Sequence, residues 1–406
     1  MSSPRRGLHW AGLAAVGLAA VAAACQFIED IHSRTSPVEP SSDAATPLDA
    51  NPIVDSSTPP DVAPDTAIKC VPGIPPGLPQ PAGGGMGGSI TVTTAIQSLH
   101  YQPVDDAGMG LGYNLDCVAT CPGLPSCVGA GSNCDADGGR DLAGNELLLT
   151  IDALGNSTGS GTVASQIAAG KLTIILQVSD WNGAPDDSQV TFAMFVASGI
   201  VANPDGGADA AATLPPNWDG NDVWDIDPRT VAGVVRGDGG EYTYVPRALT
   251  TQAYVTNNQI VGTLQSVQVG LGFGLVTMTN IVFVATIIPV VFPGTLNSGY
   301  RLDGQTAGRF SIHSILSLAS ALRDPLNPGM RVCGSDPTFQ AFRTSLCTSA
   351  DVMSDISRDN TGAPCDAISA ALGFTALSVR LGPEHPGLAY DPGCDGGVED
   401  CNADAF

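Results

Sequence analysis

Short apolar runs rich in valine, isoleucine and threonine, in which apolar and polar residues alternate, recur along most of this chain. The clearest are residues 89–96, 171–178 and 189–196. Successive side chains of an extended strand point to opposite faces, so this alternation of β-branched residues predicts strands with one buried face. The runs are separated by turn-forming segments, and the 406 residues include 49 Gly and 31 Pro. Because these residues favour turns and disfavour long helices, we expect a mainly β protein.

Further runs of the same kind extend the pattern towards the middle of the chain. They are residues 147–154, 241–245, 253–257, 259–265 and 267–273. The apolar run 275–292 predicts two buried strands and not a membrane helix, because Asn280 and Pro289 interrupt a β-branched segment. We therefore expect an antiparallel β-sandwich of the jelly-roll kind over residues 87–305.

After residue 305 the spacing of apolar residues becomes helical. Residues that would share one helical face are Phe310, Ile312, Ile315, Leu316, Ala319 and Leu322. The pair Asp336-Pro337 is typical of a helix start, since aspartate caps the first turn and proline suits the first helical position. Residues 364–372 predict one more short helix, ended by a glycine. We expect residues 306–406 to form a short α-helical segment, stapled by disulfides and packed on the sandwich.

The N-terminus has the pattern of an export signal. Arg5 and Arg6 precede an apolar stretch at residues 10–20, and small residues then lead to Cys25. The apolar stretch is shorter than a membrane-spanning helix requires, so residues 1–24 predict a secretory signal peptide. Ordinary cleavage would leave Cys25 as one more disulfide partner.

The cysteine that follows the small residues resembles the lipobox of bacterial lipoproteins. The resemblance covers only the first 25 residues, and it implies that Cys25 is acylated and becomes the N-terminus of the mature protein. Two or three acyl chains give stable membrane anchoring. Gln26 is similar to the default sorting residue for the outer membrane, so the resemblance implies a lipid-anchored protein of the outer membrane or cell surface.

Residues 25–86 form the anchor and a segment rich in proline, serine and aspartate. Such a segment has too few large apolar residues to offset the entropy lost on ordering. We expect a disordered tether that holds a folded domain clear of a membrane.

The cysteine count supports an oxidising compartment. Removing Cys25 from the 11 cysteines leaves 11 − 1 = 10, an even number suited to five disulfides. The ten are Cys70, Cys117, Cys121, Cys127, Cys134, Cys333, Cys347, Cys365, Cys394 and Cys401. The cluster from Cys117 to Cys134 could bind a metal through four thiolates, but its spacing and the export signal favour disulfides within the cluster. Cys394 and Cys401 bracket a short loop, and we expect them to pair.

Charge excludes one class of partner, and no catalytic motif is strong. With 16 Lys+Arg against 40 Asp+Glu, the formal net charge of −24 repels nucleic acid.

The sequence around Ser157 matches the G-x-S-x-G elbow of serine hydrolases, and Asp303 with His313 or His385 follows in the required order. The flanks are Gly, Ser and Thr, which favours a surface loop. An exported serine hydrolase is the less favoured alternative.

Three aspartate-rich loops remain, at residues 135–141, 180–187 and 217–227. In the third loop, Asp219, Asn221, Asp225 and Asp227 place oxygen atoms at spacings that suit calcium. Alternatively, Asp and Asn in such loops cap turns by accepting hydrogen bonds from nearby backbone amides. Both interpretations stay open from the sequence, and calcium is the only cofactor it suggests.

The tryptophans Trp181, Trp218 and Trp224 lie in the last two of these loops. They could stack on a sugar ring, or they could fill the core beneath the loops. A strand-rich domain with Trp- and Asp-bearing loops is similar in architecture to concanavalin-A-type lectin domains, and the cysteine-bearing region resembles uncharacterised exported bacterial proteins. We expect a non-catalytic binding module, for a glycan or another envelope polymer, or else a structural envelope protein.

Overall fold

A computed structural model describes the folded part of the chain. The described residues are 74–79, 87–101, 110–118, 120, 126–129, 135, 139–145, 148, 162–200, 213–237, 241–270, 275–292, 297–320, 337–387 and 401. Cys25, Ser157, the signal segment and most of the tether lie outside them. Within them the protein is mainly β, as the alternating runs predict.

The described chain contains twelve strands and three α-helices. The strands are β1 (Ile90–His100), β2 (Thr173–Trp181), β3 (Asp187–Gly199), β4 (Val223–Ile226), β5 (Val231–Arg236), β6 (Tyr242–Pro246), β7 (Ala248–Thr256), β8 (Gln259–Gly270), β9 (Leu275–Val291), β10 (Ser298–Ser311), β11 (Ala367–Ser378) and β12 (Arg380–Glu384). The helices are α1 (Val163–Ala168), α2 (Ile312–Ser320) and α3 (Pro337–Thr348). Within the described chain, none of these helices has both the length and the apolar character needed to cross a membrane.

Eight strands close into an antiparallel barrel in the order β1-β2-β3-β7-β8-β9-β10-β11, with β11 pairing back to β1. The closing step is the pairing of β3 with β7, which joins Val190 to Ala253 and Met194 to Ala248. The predicted sandwich is therefore wrong, because a sandwich has two sheets with free edges and this sheet closes on itself. Strand twist and register shifts, such as the one between Ala307 and Arg309, allow this closure.

The barrel interior is filled by apolar side chains. Phe192 of β3, Phe283 of β9 and Phe374 of β11 stack across it, with ring centroids 4.1 and 5.3 Å apart. All three rings are fully buried. A fully buried Phe contributes about 1.5–3 kcal/mol through removal of its apolar surface from water. The interior is thus a packed core.

Two layers cover the outside of the barrel. The hairpin cover consists of β4, β5 and β6, and it packs Trp224, Ile226, Val231 and Tyr244 on the outer faces of β1, β2 and β3. The loop cover consists of residues 110–118 and 139–145. Its side chains Leu111, Tyr113 and Leu115 form a cluster with outward-facing residues of β8, β9, β10 and β11.

The helix predicted at residues 364–372 is wrong, and burial of this region on both faces explains why. This region is mostly strand β11, which pairs with β1 on one side and β10 on the other. Its residues from Ala367 to Phe374 are all buried, some facing the interior and others the loop cover. A strand buried on both faces does not show period-two alternation, so its run of alanines looked helical.

Several local predictions are confirmed. The helix start at Pro337 is that of α3, and α2 covers most of the predicted helical face, although Phe310 belongs to β10. The run 275–292 is strand throughout, as expected, but it forms one long strand, β9. Asn280 in β9 has a φ of +49° beside a register shift against β10, so a β-bulge bends the strand without ending it.

Two disulfides join parts of the chain that are far apart in sequence. Cys127 bonds to Cys365 and Cys347 bonds to Cys401. The predicted pair Cys394–Cys401 is therefore wrong, and Cys127 does not pair within its own cluster. Backbone contacts explain the first bond, since the N–H of Cys365 donates to the carbonyl of Val128 at 3.0 Å.

Other cysteine predictions are tested only in part. Cys117 is also disulfide-bonded. Oxidation of Cys127 and Cys117 removes the alternative of four metal-binding thiolates in this cluster. Cys70, Cys121, Cys134, Cys333 and Cys394 lie outside the described residues.

Candidate functional site

The predicted calcium loop, residues 217–227, is held together by its own carboxylates. Asp222 accepts hydrogen bonds from the backbone N–H groups of Asn217 at 2.9 Å and Trp218 at 2.6 Å. Asp219 accepts from the backbone N–H of Asn221 at 2.9 Å. These are turn caps, the second of the two interpretations open from the sequence.

The other two predicted ligands are not arranged around a common ion. The carboxylate of Asp227 accepts from Arg229 Nε at 2.9 Å and lies 2.5 Å from Arg229 Nη2. Asp225 is almost fully buried, and burial raises its pKa to about 6, although the nearby His385 lowers it. Asp219, Asp225 and Asp227 do not form a metal-binding group, and no other three His, Cys, Asp or Glu residues in the described chain do. The geometry gives the calcium hypothesis no support.

Two of the three tryptophans belong to the core. Trp224 is fully buried and Trp181 is 4 % exposed, with its indole N–H donating to the carbonyl of Ala184 at 3.0 Å. Trp218 is half-buried and lies 6.0 Å from Trp224, measured between ring centroids. Buried rings cannot stack on a sugar, so Trp181 and Trp224 fill the core beneath the loops.

Of the residues proposed to accompany Ser157 in a hydrolase, Asp303 has another side-chain partner. Asp303 forms an ion pair with Arg301 at 2.8 Å on β10. His385 donates its backbone N–H to the carbonyl of Ile226, at the side of β4. A small cleft of about 30 Å³, lined by Lys171, Ser198 and Arg229 among others, has room for water only.

The hairpin cover presents an exposed apolar surface. Val234, Val235 and Val245 are 39 %, 62 % and 50 % exposed, and we call this surface the hairpin face. Arg236 lies over the half-buried ring of Tyr242, 5.5 Å from its centroid. Within the described residues, β5 pairs only with β6, and its other edge has no strand partner there.

Behind the loop cover lies a group of buried and half-buried carboxyls, which we call the acid cluster. It contains Asp116, Asp135, Asp141, Asp351 and Asp359, grouped near Arg309 of β10. Arg309 is fully buried. It donates to both carboxylate oxygens of Asp359 at 2.8 and 2.7 Å, and to the backbone carbonyls of Leu115 and Met353.

Burial and mutual repulsion disfavour the charged forms of three of these carboxyls. Burial, with the like charges of Asp116, Asp351 and Asp135, holds the pKa of Asp141 well above its usual value. Burial raises the pKa of Asp351 to about 7, although two hydrogen bonds from Ser369 lower it. Burial and the like charge of Asp116 raise the pKa of Asp135.

The acid cluster was missed from the sequence, although part of it lies in a loop that the sequence singled out. Asp135 and Asp141 flank the first aspartate-rich loop. Their partners Asp116, Asp351 and Asp359 come from other regions, and nothing in their local sequence marks them. Only the packing of the loop cover on β10 and β11 brings them together.

Comparisons of the chain with models of protein families, with curated proteins and with solved structures find no match. The two candidate sites, the hairpin face and the acid cluster, are therefore judged by their own chemistry.

Proposed function

We propose that this chain is a lipid-anchored protein of the bacterial cell envelope, and that its barrel is a non-catalytic binding module. Acylated Cys25 supplies the anchor, and residues 26–86 supply the tether. The binding surface is the hairpin face. This exposed apolar face, on a barrel whose interior is filled, is the observation that carries the proposal.

A filled interior supports binding on the outside. Barrels that hold small ligands keep a cavity along their axis. Here the stacked rings of Phe192, Phe283 and Phe374 occupy that space. A partner must therefore contact an outer surface, and exposed apolar patches on soluble domains commonly mark such contacts.

The hairpin face suits an extended polypeptide segment better than a glycan. Its exposed side chains are β-branched and aliphatic, and the outer edge of β5 offers backbone donors and acceptors in strand geometry. An added strand would pair with that edge and pack its side chains beside Val234 and Val235. Glycan recognition would need exposed aromatic faces, and Trp181 and Trp224 are buried.

Charge restricts the partner further. The chain has a formal net charge of −24, and Arg236 is the charged side chain at the end of β5. An acidic segment would be repelled by the whole molecule. The proposed partner is thus an extended segment of an envelope protein that is neutral or basic.

The anchor is tested with Cys25→Ser. The native protein should partition into the detergent phase and carry an acylated N-terminal cysteine by mass spectrometry. The variant should be soluble or remain as the precursor. An unmodified N-terminus in the native protein would remove the lipid anchor from the proposal.

The binding surface is tested by photo-crosslinking in cells. A photoreactive amino acid at position 235 should give a discrete protein adduct, whose mass spectrum identifies the crosslinked segment. Val291 is 72 % exposed at the end of β9 and provides the matched control position. Equal adducts at both positions, an adduct with a glycan, or none at position 235 would contradict the polypeptide partner.

A further inference from the structure

Asp141 and Asp351 are carboxyls buried where the loop cover meets the barrel, and they are 1 % and 5 % exposed. The buried cation of this region, Arg309, is bound to a different carboxylate, that of Asp359. Burial without a cation disfavours the charged form of a carboxyl. The contacts that Asp141 and Asp351 make therefore depend on protonation.

We propose that Asp141 and Asp351 of the acid cluster form a proton-dependent latch, which holds the loop cover on the barrel while these two carboxyls are protonated and releases it as the pH rises through neutrality. The latch lies over β8 to β11, whereas the hairpin face belongs to the cover of β1 to β3. The proposal is thus independent of the hairpin face as a binding surface.

The cluster is the point at which the loop cover is attached. Asp141 accepts a hydrogen bond from the backbone N–H of Leu115, and Arg309 donates to the carbonyl of the same residue at 2.6 Å. Asp351 accepts from the backbone N–H of Ser369 on β11 at 2.8 Å, and also bonds to its hydroxyl. The hydroxyl of Ser369 in turn accepts from the backbone N–H of Ala143 at 3.2 Å. Cover and barrel are therefore joined through these carboxyls.

Charged and titratable groups face the cluster from the elements packed against it. They are Asp116 of residues 110–118, Asp135 and Asp141 of the following loop, Arg309 of β10, and Asp351, Asp355 and Asp359 of the segment before β11. Arg309 is the cation that bonds directly to a carboxylate of the cluster, and its two side-chain hydrogen bonds to a carboxylate go to Asp359. Asp116 adds an oxygen, Oδ2, that is buried and has no hydrogen-bond partner. Ionisation of Asp141 and Asp351 would therefore place like charges together while Arg309 is bound to another carboxylate.

The direction of the pH effect follows from these environments. Burial raises the pKa of Asp351 to about 7 from an ordinary value of 3.8, and the pKa values of Asp135 and Asp141 are also raised. Between pH 3.8 and about pH 7, the carboxyl of Asp351 loses its proton when the loop cover is open and keeps it when the cover is closed. The equilibrium constant for opening then rises about tenfold per pH unit for each such carboxyl, so the latch is closed in acid and weakens towards neutral pH.

Opening would uncover the outward apolar residues that Leu111, Tyr113 and Leu115 now cover. These are Val261, Val284, Ala307 and Ala371. The latch thus controls access to a second apolar surface of the barrel.

The experiment is hydrogen exchange on the full chain from pH 5 to pH 8, expressed as protection factors to remove the pH dependence of intrinsic exchange. Amides of residues 110–118 and 139–145 should lose about a hundredfold of protection between pH 5 and pH 7 for one titrating carboxyl. Amides of β8 and β9 should keep theirs. Binding of an apolar dye should increase over the same range.

The decisive variant is Asp351→Asn, whose amide can replace the hydrogen bonds to Ser369 without titrating. The protection factors of its loop-cover amides should fall less steeply with pH than those of the native protein, by about tenfold per pH unit. Asp180→Asn makes the same chemical change on the β2–β3 hairpin and should leave the dependence unchanged. If Asp351→Asn folds poorly, Asp141→Asn is measured in its place. Protection that is independent of pH in the native protein, or an unchanged dependence in both cluster variants, would overturn the latch.

Discussion

Both covers pack on the outside of the barrel, but one is attached mainly by apolar contacts and the other mainly by hydrogen bonds to buried acids. The hairpin cover packs Trp224 and Tyr244 on the barrel, and the Tyr244 hydroxyl donates a neutral hydrogen bond to the carbonyl of Gly382 at 2.7 Å. The loop cover buries three apolar side chains and attaches itself through carboxyls and Arg309, and the Cys127–Cys365 bond fixes the chain between its two parts to the segment before β11. Apolar contacts derive their free energy from surface removed from water, so pH and redox state should affect the hairpin cover less, and Asp225, whose pKa burial raises to about 6, is its titrating carboxyl. A cover attached by buried acids and a disulfide should respond to both.

The largest expected effect is on the hairpin cover. Trp224→Ala should destabilise the protein by about 3–5 kcal/mol, because the side chain is fully buried and would leave a cavity. The loss, measured by denaturant unfolding, should be similar at pH 5 and pH 7.5. Val235→Lys changes an exposed residue of the same cover and should cost within about 0.5 kcal/mol. A Trp224→Ala loss that varied strongly with pH would contradict the apolar nature of this cover.

The next effect is on the loop cover. Arg309→Met should cost about 3 kcal/mol at pH 7.5, since it leaves Asp359 unpaired among other buried acids. The cost should be smaller at pH 5, where protonation removes the uncompensated charge. Unfolding at the two pH values measures the difference. Arg301→Met removes an exposed ion pair and is the control, for which little loss is expected at either pH.

Removal of the Cys127–Cys365 disulfide should affect the loop cover more than the hairpin cover. Cys127→Ala with Cys365→Ala should cost about 2–4 kcal/mol, because the bond closes a long loop in the unfolded chain. Hydrogen exchange should increase first in the loop cover, and amides of β5 and β6 should keep their protection. Equal loss of protection in both covers would show that this bond stabilises the whole barrel and not one cover.

The smallest effect is expected from calcium. The melting temperature should be the same in millimolar calcium and in chelator, because Asp227 is bound to Arg229 and Asp219 and Asp222 cap turns in the hairpin cover's loop. A site with a dissociation constant of about 10⁻⁴ M would instead add about 2.7 kcal/mol at a hundredfold excess of calcium. A rise of the melting temperature with calcium that Asp225→Asn with Asp227→Asn abolishes would restore the calcium site.

Local features were predictable because their causes lie within a few residues. The period-two runs located β1, β2 and β3, and the Asp-Pro pair located the start of α3. Turn-capping by Asp219 was one of the alternatives that the sequence left open. The helix predicted at residues 364–372 failed because β11 is buried on both faces, a fact about its neighbours and not about its own composition.

The sequence by itself therefore determined the β class, the positions of most strands and the strongly acidic charge. Tertiary structure alone decided that β3 pairs with β7 to close a barrel, that Cys127 meets Cys365, and that the acid cluster forms near Arg309. Strand periodicity and turn chemistry act over a few neighbouring residues. Strand closure, disulfide pairing and the desolvation of a carboxyl depend on residues that are tens to hundreds of positions apart, and only the folded chain brings them together.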